Sequence, residues 1–298
     1  MSDQANRLRQ LMRQAAQSPC TRPYSAAPAP RLLAIAGAKG GVGATTVAVN
    51  LAVALAERGR RTLLVDANLE RPDTALLCRL GETGSLADVL SGRQSLHEAL
   101  VRGPQGILVL CGGWAAGSLR QSSPAVSERL LDGLAAMTPP ADDVILDVGS
   151  AIDRAAGRYW QAADQVLLVT TPEPMALMDA YAAIKALRPG GGPAIQLLIN
   201  QAADRQAAGQ AYARLARACR RFLGMAAGSA GWLPLDSAVA SAARGCCPFV
   251  IEYPRAPAAR ALARLAESLP GPARRIEENP IIHSTRGGLA TDIKTYCR

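Results

Sequence analysis

The chain has 298 residues, 49% hydrophobic and 19% charged, which suffices to bury one substantial core and is too short for two full-sized domains with linkers. Its formal net charge of +9 is spread along the whole chain and aromatics make up only 4%, so no interleaved basic and aromatic platform exists and no specific nucleic-acid partner is expected. Seven cysteines without a C-x-x-C pair, beside two histidines, argue against zinc and for reduced thiols; no stretch approaches the roughly 20 apolar residues that span a bilayer, so the expected location is the cytoplasm.

In chain order, residues 1–16 read as a short polar helix, densest over 3–14, and residues 17–30 as a flexible linker carrying Ser18, Pro19, Pro23, Ser25, Pro28 and Pro30. The globular part is expected over 31–270. Its first apolar run, 32–36, is a strand, followed by a glycine-rich string and a helical pattern over 45–57. Short, branched, continuous runs at 62–65, 107–110, 144–146, 166–169 and 195–199 predict strands covered on both faces. Between them lie helical patterns near 123–137, 154–163, 175–187 and 205–222. This alternation predicts an α/β fold, a mainly parallel twisted sheet with helices on both faces. The runs 232–233 and 249–251 are expected to add edge strands before a last helix at 257–269. The tail, 271–298, is expected to be mobile. It shows no stripe of bulky apolar residues after Leu269, which leaves only peripheral contact with the inner membrane face as a membrane role.

The glycine-rich string is Gly37-Ala38-Lys39-Gly40-Gly41-Val42-Gly43-Ala44-Thr45-Thr46. Aligned on Gly43 and Thr45, it matches a phosphate-binding loop, G-x-x-x-x-G-K-[ST], except that Ala38 takes the first glycine's place and Ala44 stands where a lysine normally reaches the β- and γ-phosphates. In such a loop, successive backbone N–H groups and the positive end of the helix converge on an anion. Thr45 would offer its hydroxyl to Mg²⁺. Asp147 ends the run 144–146, where an aspartate either contacts that metal or only caps the following loop.

The segment Lys-Gly-Gly-Val-Gly-x-Thr-Thr resembles the deviant Walker A motif of MinD/ParA-class ATPases. The resemblance implies a P-loop NTPase that forms a homodimer when ATP-bound, with Lys39 crossing the two-fold interface to the partner's nucleotide. It makes Gly40, Gly41, Val42, Gly43, Ala44, Thr45 and Thr46 the phosphate cradle for ATP or ADP. Asn200 falls where the class holds the adenine edge, Pro234 falls in the base-facing loop, and Asp147 resembles the Walker B aspartate that joins Thr45 at Mg²⁺. Lys39, Asp66 and Asn68 are the catalytic candidates, and relatives carry Asp-x-Asp where this chain has Asp66-Ala67-Asn68. Asn68 can hydrogen-bond a water but cannot accept its proton. A charge-assisted hydrogen bond contributes about 1.5 to 3 kcal/mol, so loss of the lysine at position 44 should weaken nucleotide binding roughly tenfold to a hundredfold. Turnover should suffer more, because charge neutralisation counts most in the transition state. Binding with slow or absent hydrolysis is therefore expected.

Thr170-Thr171-Pro172-Glu173-Pro174 resembles the Thr-Pro-Glu-Pro segment of MinD-like proteins, and Ser85-Leu86-Ala87-Asp88-Val89-Leu90 and Trp232-Leu233-Pro234-Leu235-Asp236 resemble the FlhG family, also called YlxH or FleN. So does the N-terminal Asp3-Gln4-Ala5-Asn6-Arg7-Leu8-Arg9. In that family the motif implies docking on an SRP-type GTPase (FlhF-like), which makes Asp3, Gln4, Ala5, Leu8 and Arg9 candidate partner-binding residues. Flagellar C-ring components are a second implied partner. Three rivals stand beside this reading. A bacterial tyrosine kinase of the same superfamily is suggested by Asp66-Ala67-Asn68-Leu69-Glu70-Arg71-Pro72; a TadZ/CpaE-like pilus-localising protein is suggested by the alanine in the loop; the third is a scaffold that works without nucleotide.

Overall fold

A computed structural model describes residues 30–68, 71–81, 84–113, 124–137, 140–150, 154–187 and 192–270. The 1–16 helix, the 17–30 linker up to residue 29 and the 271–298 tail lie outside the described residues. Strand β1 (Arg31–Gly37) is hydrogen-bonded in parallel to β5 (Asp143–Ser150) on one side and β6 (Gln165–Thr170) on the other. Beyond β5 come β2 (Thr62–Asp66), β4 (Leu108–Leu110) and β3 (Val101–Arg102), while β7 (Ala194–Ala202) and β8 (Gly228–Pro234) extend the other side. All pairings are parallel except β3 with β4. The chain thus moves outward from β1 in one direction and later in the other, which opens a crevice at the strand carboxyl ends.

Alternate strand residues serve opposite faces of the sheet. Ala34, Leu63, Val144, Val166 and Leu197 pack with α5 (Pro124–Ala135), α6 (Arg154–Ala162), α7 (Pro174–Leu187) and α8 (Arg205–Leu223). Ile35, Leu64, Ile145, Leu167 and Leu198 pack with α1 (Ala44–Ala56) and α11 (Pro257–Ser268). Helix α1 is apolar on nearly every side, because it runs between the sheet and the C-terminal helices. Short helices fill the remaining connections: α2 (Thr74–Leu77), α3 (Leu86–Leu90), α4 (Leu96–Ala99), α9 (Ser237–Arg244) and α10 (Phe249–Glu252).

The predicted strands at the centre and at 232–233 form as expected, and the six long helices fall within a few residues of the expected spans. The run 249–251 does not form a strand. Its residues make α10, with Phe249 and Val250 buried against α1, and the Val250 amide donates to Asn50 Oδ1 at 3.0 Å. Three apolar residues carry no periodicity, so tertiary burial decided what propensity could not.

At the opposite end of the sheet from the crevice, Asp143 is fully buried between two arginines. Arg31 Nη2 lies 2.7 Å and Arg60 Nε 2.6 Å from its carboxylate. Burial raises the Asp143 pKa, and the charges and hydrogen bonds of Arg31 and Arg60 oppose that shift. Removing one member of a buried pair leaves the others uncompensated. Asp143→Ala is expected to lower the unfolding free energy by about 3 kcal/mol, read as a lower urea midpoint at constant slope.

Candidate functional site

The loops that follow β1 and β2 and the carboxyl ends of β5 and β7 meet at the crevice around a cavity of about 700 Å³. The β1 loop enters it first. Gly43 adopts a left-handed conformation (φ 89°) and precedes α1 with no side chain capping the helix. The first intrahelical bond runs from the Val47 amide to the Gly43 carbonyl, so the amides of the first turn face the cavity without intrahelical partners. A Cβ at Gly43 would lie 2.6 Å from Asn200 Nδ2, so only glycine fits there. That amide nitrogen donates to the Val42 carbonyl at 2.8 Å, and Gln201 Nε2 reaches toward the Gly41 carbonyl at 3.4 Å. Gln201 itself is left-handed (φ 56°), at a register shift between β7 and β8. The irregularity aims two β7 side chains at the loop.

Two buried aspartates sit on adjoining strands. Asp66 and Asp147 are register partners on β2 and β5, both fully buried. Asp66 is committed to its own loop, accepting from the Asn68 amide at 3.1 Å and the Thr74 amide at 3.2 Å. Its pKa is raised well above the carboxylate range by burial and then by the Asp147 charge. Asp147 accepts from the Gly149 amide through Oδ1 at 3.2 Å, whereas Oδ2 is buried with no hydrogen-bond partner of ordinary geometry. Burial pushes its pKa to about 6; the Thr45 hydroxyl and the Gly149 amide hold it down, and Asp73 pushes it up. A buried carboxylate oxygen without a partner, beside a threonine hydroxyl, is a hard oxygen donor set of the kind that suits Mg²⁺. The residues present therefore fit a magnesium-bound polyphosphate.

Of the sequence-predicted residues, Lys39, Gly40, Gly41, Gly43, Ala44, Thr45, Thr46 and Asn68 line the cavity. Val42 and Asn200 brace the loop from behind, Asp147 lies beneath it, and Asp66 holds the turn that presents Asn68. Pro234, at the end of β8, does not line the cavity. Lys39 turns outward, with Nζ 3.0 Å from Glu173 Oε2. Asp3, Gln4, Ala5, Leu8 and Arg9 lie outside the described residues. Arg71, Asp73 and Gln201 line the cavity and were not assigned a role from sequence. Arg71 and Asp73 follow an aspartate at a strand end, a usable signal; nothing in the string around Gln201 marks it.

An α/β sheet with a glycine loop, an uncapped helix start and a buried aspartate at the adjacent strand end defines a P-loop nucleotide-binding protein. The ParA family model, described as NUBPL iron-transfer P-loop NTPase, matches residues 29–270. The chain is 34% identical to antiactivator FleN of Pseudomonas aeruginosa over 247 residues, 82% of this chain and 88% of that protein. It is 28% identical to the flagellum site-determining protein YlxH of Helicobacter pylori over 156 residues, 52% of this chain and 53% of that one. Among solved structures, septum site-determining protein MinD from Pyrococcus horikoshii, complexed with Mg-ADP, superposes with a TM-score of 0.67 at 23% identity, covering 80% of this chain and 95% of that one. The chain belongs to the ParA family of P-loop NTPases, in its FlhG (YlxH/FleN) branch.

The raised pKa of Asp147 has a sign that can be checked. A folded-state pKa above the ordinary 3.8 means that the folded protein prefers the protonated acid, so ligand-free stability falls as pH rises from about 3.8 to about 6 and stays lower above. Asp147→Asn removes that cost while keeping an oxygen for the Gly149 amide. The variant is expected to be more stable than wild type at pH 7, by on the order of 3 kcal/mol, with the gap closing below about pH 4. Thermal melts of ligand-free protein across that pH range would check it.

Proposed function

We propose that this chain is a MinD-like nucleotide-binding regulator of flagellar number and placement that binds ATP or ADP with Mg²⁺ and hydrolyses ATP slowly or not at all. The observation that carries the reading is the uncapped N-terminus of α1, opening onto a glycine-lined cavity whose Thr45 hydroxyl meets the buried carboxylate of Asp147. The amides of Gly40 to Thr46 hold the phosphates there, and Asn200 and Gln201 keep the loop in shape. Thr45 and Asp147 hold magnesium, which supplies positive charge to the phosphate oxygens when bound. Asn68, with its amide tied to Asp66 and its side chain against Gly149, orients a water without being able to take its proton.

Lys39 is the dimer element. In the single protomer its ammonium rests on Glu173, a half-exposed pair of small energetic weight that a stronger polyphosphate partner displaces. On this reading, ATP draws two copies together, each Lys39 reaching the other's nucleotide. The relatives' names, antiactivator FleN and flagellum site-determining YlxH, support the flagellar role. Residues 1–16 meet an SRP-type GTPase of the FlhF kind, with Gln4 as the residue that orients water in the partner's site, and flagellar C-ring components are further partners.

Calorimetry with Mg-ATP is expected to give saturable binding with a phosphate-release rate near background, and Ala44→Lys is expected to raise that rate at least tenfold by restoring the missing charge. Full-length protein should also accelerate GTP hydrolysis by the SRP-type GTPase, and Gln4→Ala should lose most of that effect. Wild-type turnover equal to that of Ala44→Lys would refute the slow-enzyme reading, and an unaccelerated GTPase would remove the partner.

A further inference from the structure

The cavity lacks the lysine of position 44, yet a polyphosphate bound over two buried carboxylates still requires a cation. Among the described residues that line it, the cations are Lys39 and Arg71. Lys39 is engaged by Glu173 on the outer side. Arg71 stands across the cavity, on the turn that follows β2.

The backbone of that turn is held at both described ends. Asp66 takes the amides of Asn68 and Thr74, the Arg71 amide donates to Asn68 Oδ1 at 3.2 Å, and the Asp73 amide donates to the Arg71 carbonyl at 2.9 Å. The Arg71 side chain, by contrast, is 76% exposed and, among the described residues, rests at long range on Asp73, 3.8 Å from Nη2 to Oδ2. Asp73 lines the same cavity, so its contact holds the guanidinium at the cavity rim. A fixed backbone with a loosely held planar fork is suited to phosphate, because the fork can close bidentately on two oxygens at little cost in backbone order.

We propose that Arg71 is the nucleotide-binding cation of this chain, closing on the terminal phosphate of a nucleoside triphosphate in place of the lysine that Ala44 replaces. The role rests on the nucleotide reading above and adds to it a ligand for the γ-phosphate. The Arg71–Asp73 contact then serves as a resting position, given up when phosphate offers two charged oxygens at shorter range. Discrimination follows: ATP gains a contact that ADP makes only in part and AMP not at all.

The test is fluorescence titration of full-length protein with mant-ATP, mant-ADP and mant-AMP in magnesium. Arg71→Ala is expected to weaken mant-ATP by about tenfold or more while changing mant-AMP by less than about twofold, the scale of one charge-assisted hydrogen bond. Arg71→Lys should lose part of this, because it keeps the charge without the fork. Ala44→Lys placed in the Arg71→Ala background should restore tight mant-ATP binding, which a merely structural role of the turn would not allow. Unchanged mant-ATP affinity in Arg71→Ala, or equal losses for all three nucleotides, overturns the assignment while leaving the nucleotide reading intact. Wild-type protein that binds none of the three would take down both.

Discussion

Because β1 is paired on both sides, to β5 and to β6, the loop leaving its carboxyl end has no freedom to swing along the sheet. It must turn back over the sheet into α1, whose apolar circumference then buries it between the strands and the C-terminal helices. These two constraints fix the direction of the helix axis and so the place where its uncapped amides point. Asn200 and Gln201 add the third, gripping loop carbonyls from β7 across a sequence separation of about 160 residues. A loop held from behind in this way keeps its amides aimed at the cavity before any ligand arrives, and preorganisation of that kind lowers the ordering cost of binding.

The same geometry creates an electrostatic imbalance. Parallel register puts Asp66 directly beside Asp147, and burial raises the pKa of both. Asp66 is committed by hydrogen bonds to the turn after β2, whereas Asp147 keeps one buried oxygen without a hydrogen-bond partner of ordinary geometry. At the far end of β5 the fold solves the matching problem differently, with Arg31 and Arg60 closing on Asp143. Asp143 is thus balanced by two cations, whereas Asp147 is held only by the Thr45 hydroxyl and the Gly149 amide among the described residues.

Much of this was legible in the sequence, and the limits have physical causes. The central strands and long helices announced themselves because parallel strands buried on both faces read as unbroken branched runs, and the loop at 37–46 carries a spacing few other structures need. The run 249–251 was misread as a strand because three apolar residues fit either element, and what made it helical was a buried contact with Asn50, some 200 positions away. The helices α3 and α4 went unassigned although each starts at a capping box, Ser85 with Asp88 and Ser95 with Glu98, a signal that was present in the string. Gln201 became a site residue only through topology, since a register shift near the end of β7 brings it to the cavity rim.

The departure at position 44 reads differently once its surroundings are known. Ala44 is 8% exposed, its methyl in the apolar cluster at the start of α1, while its amide faces the cavity. Losing the lysine therefore costs the cradle a charge but none of its main-chain donors, which is the division between holding a nucleotide and turning it over. Ground-state binding draws on many amides at once; phosphoryl transfer depends on cations that strengthen their hold as charge develops. On the function proposed above, a site that keeps the first and gives up part of the second would favour long-lived occupancy, which suits setting a position or a count better than cycling quickly between states.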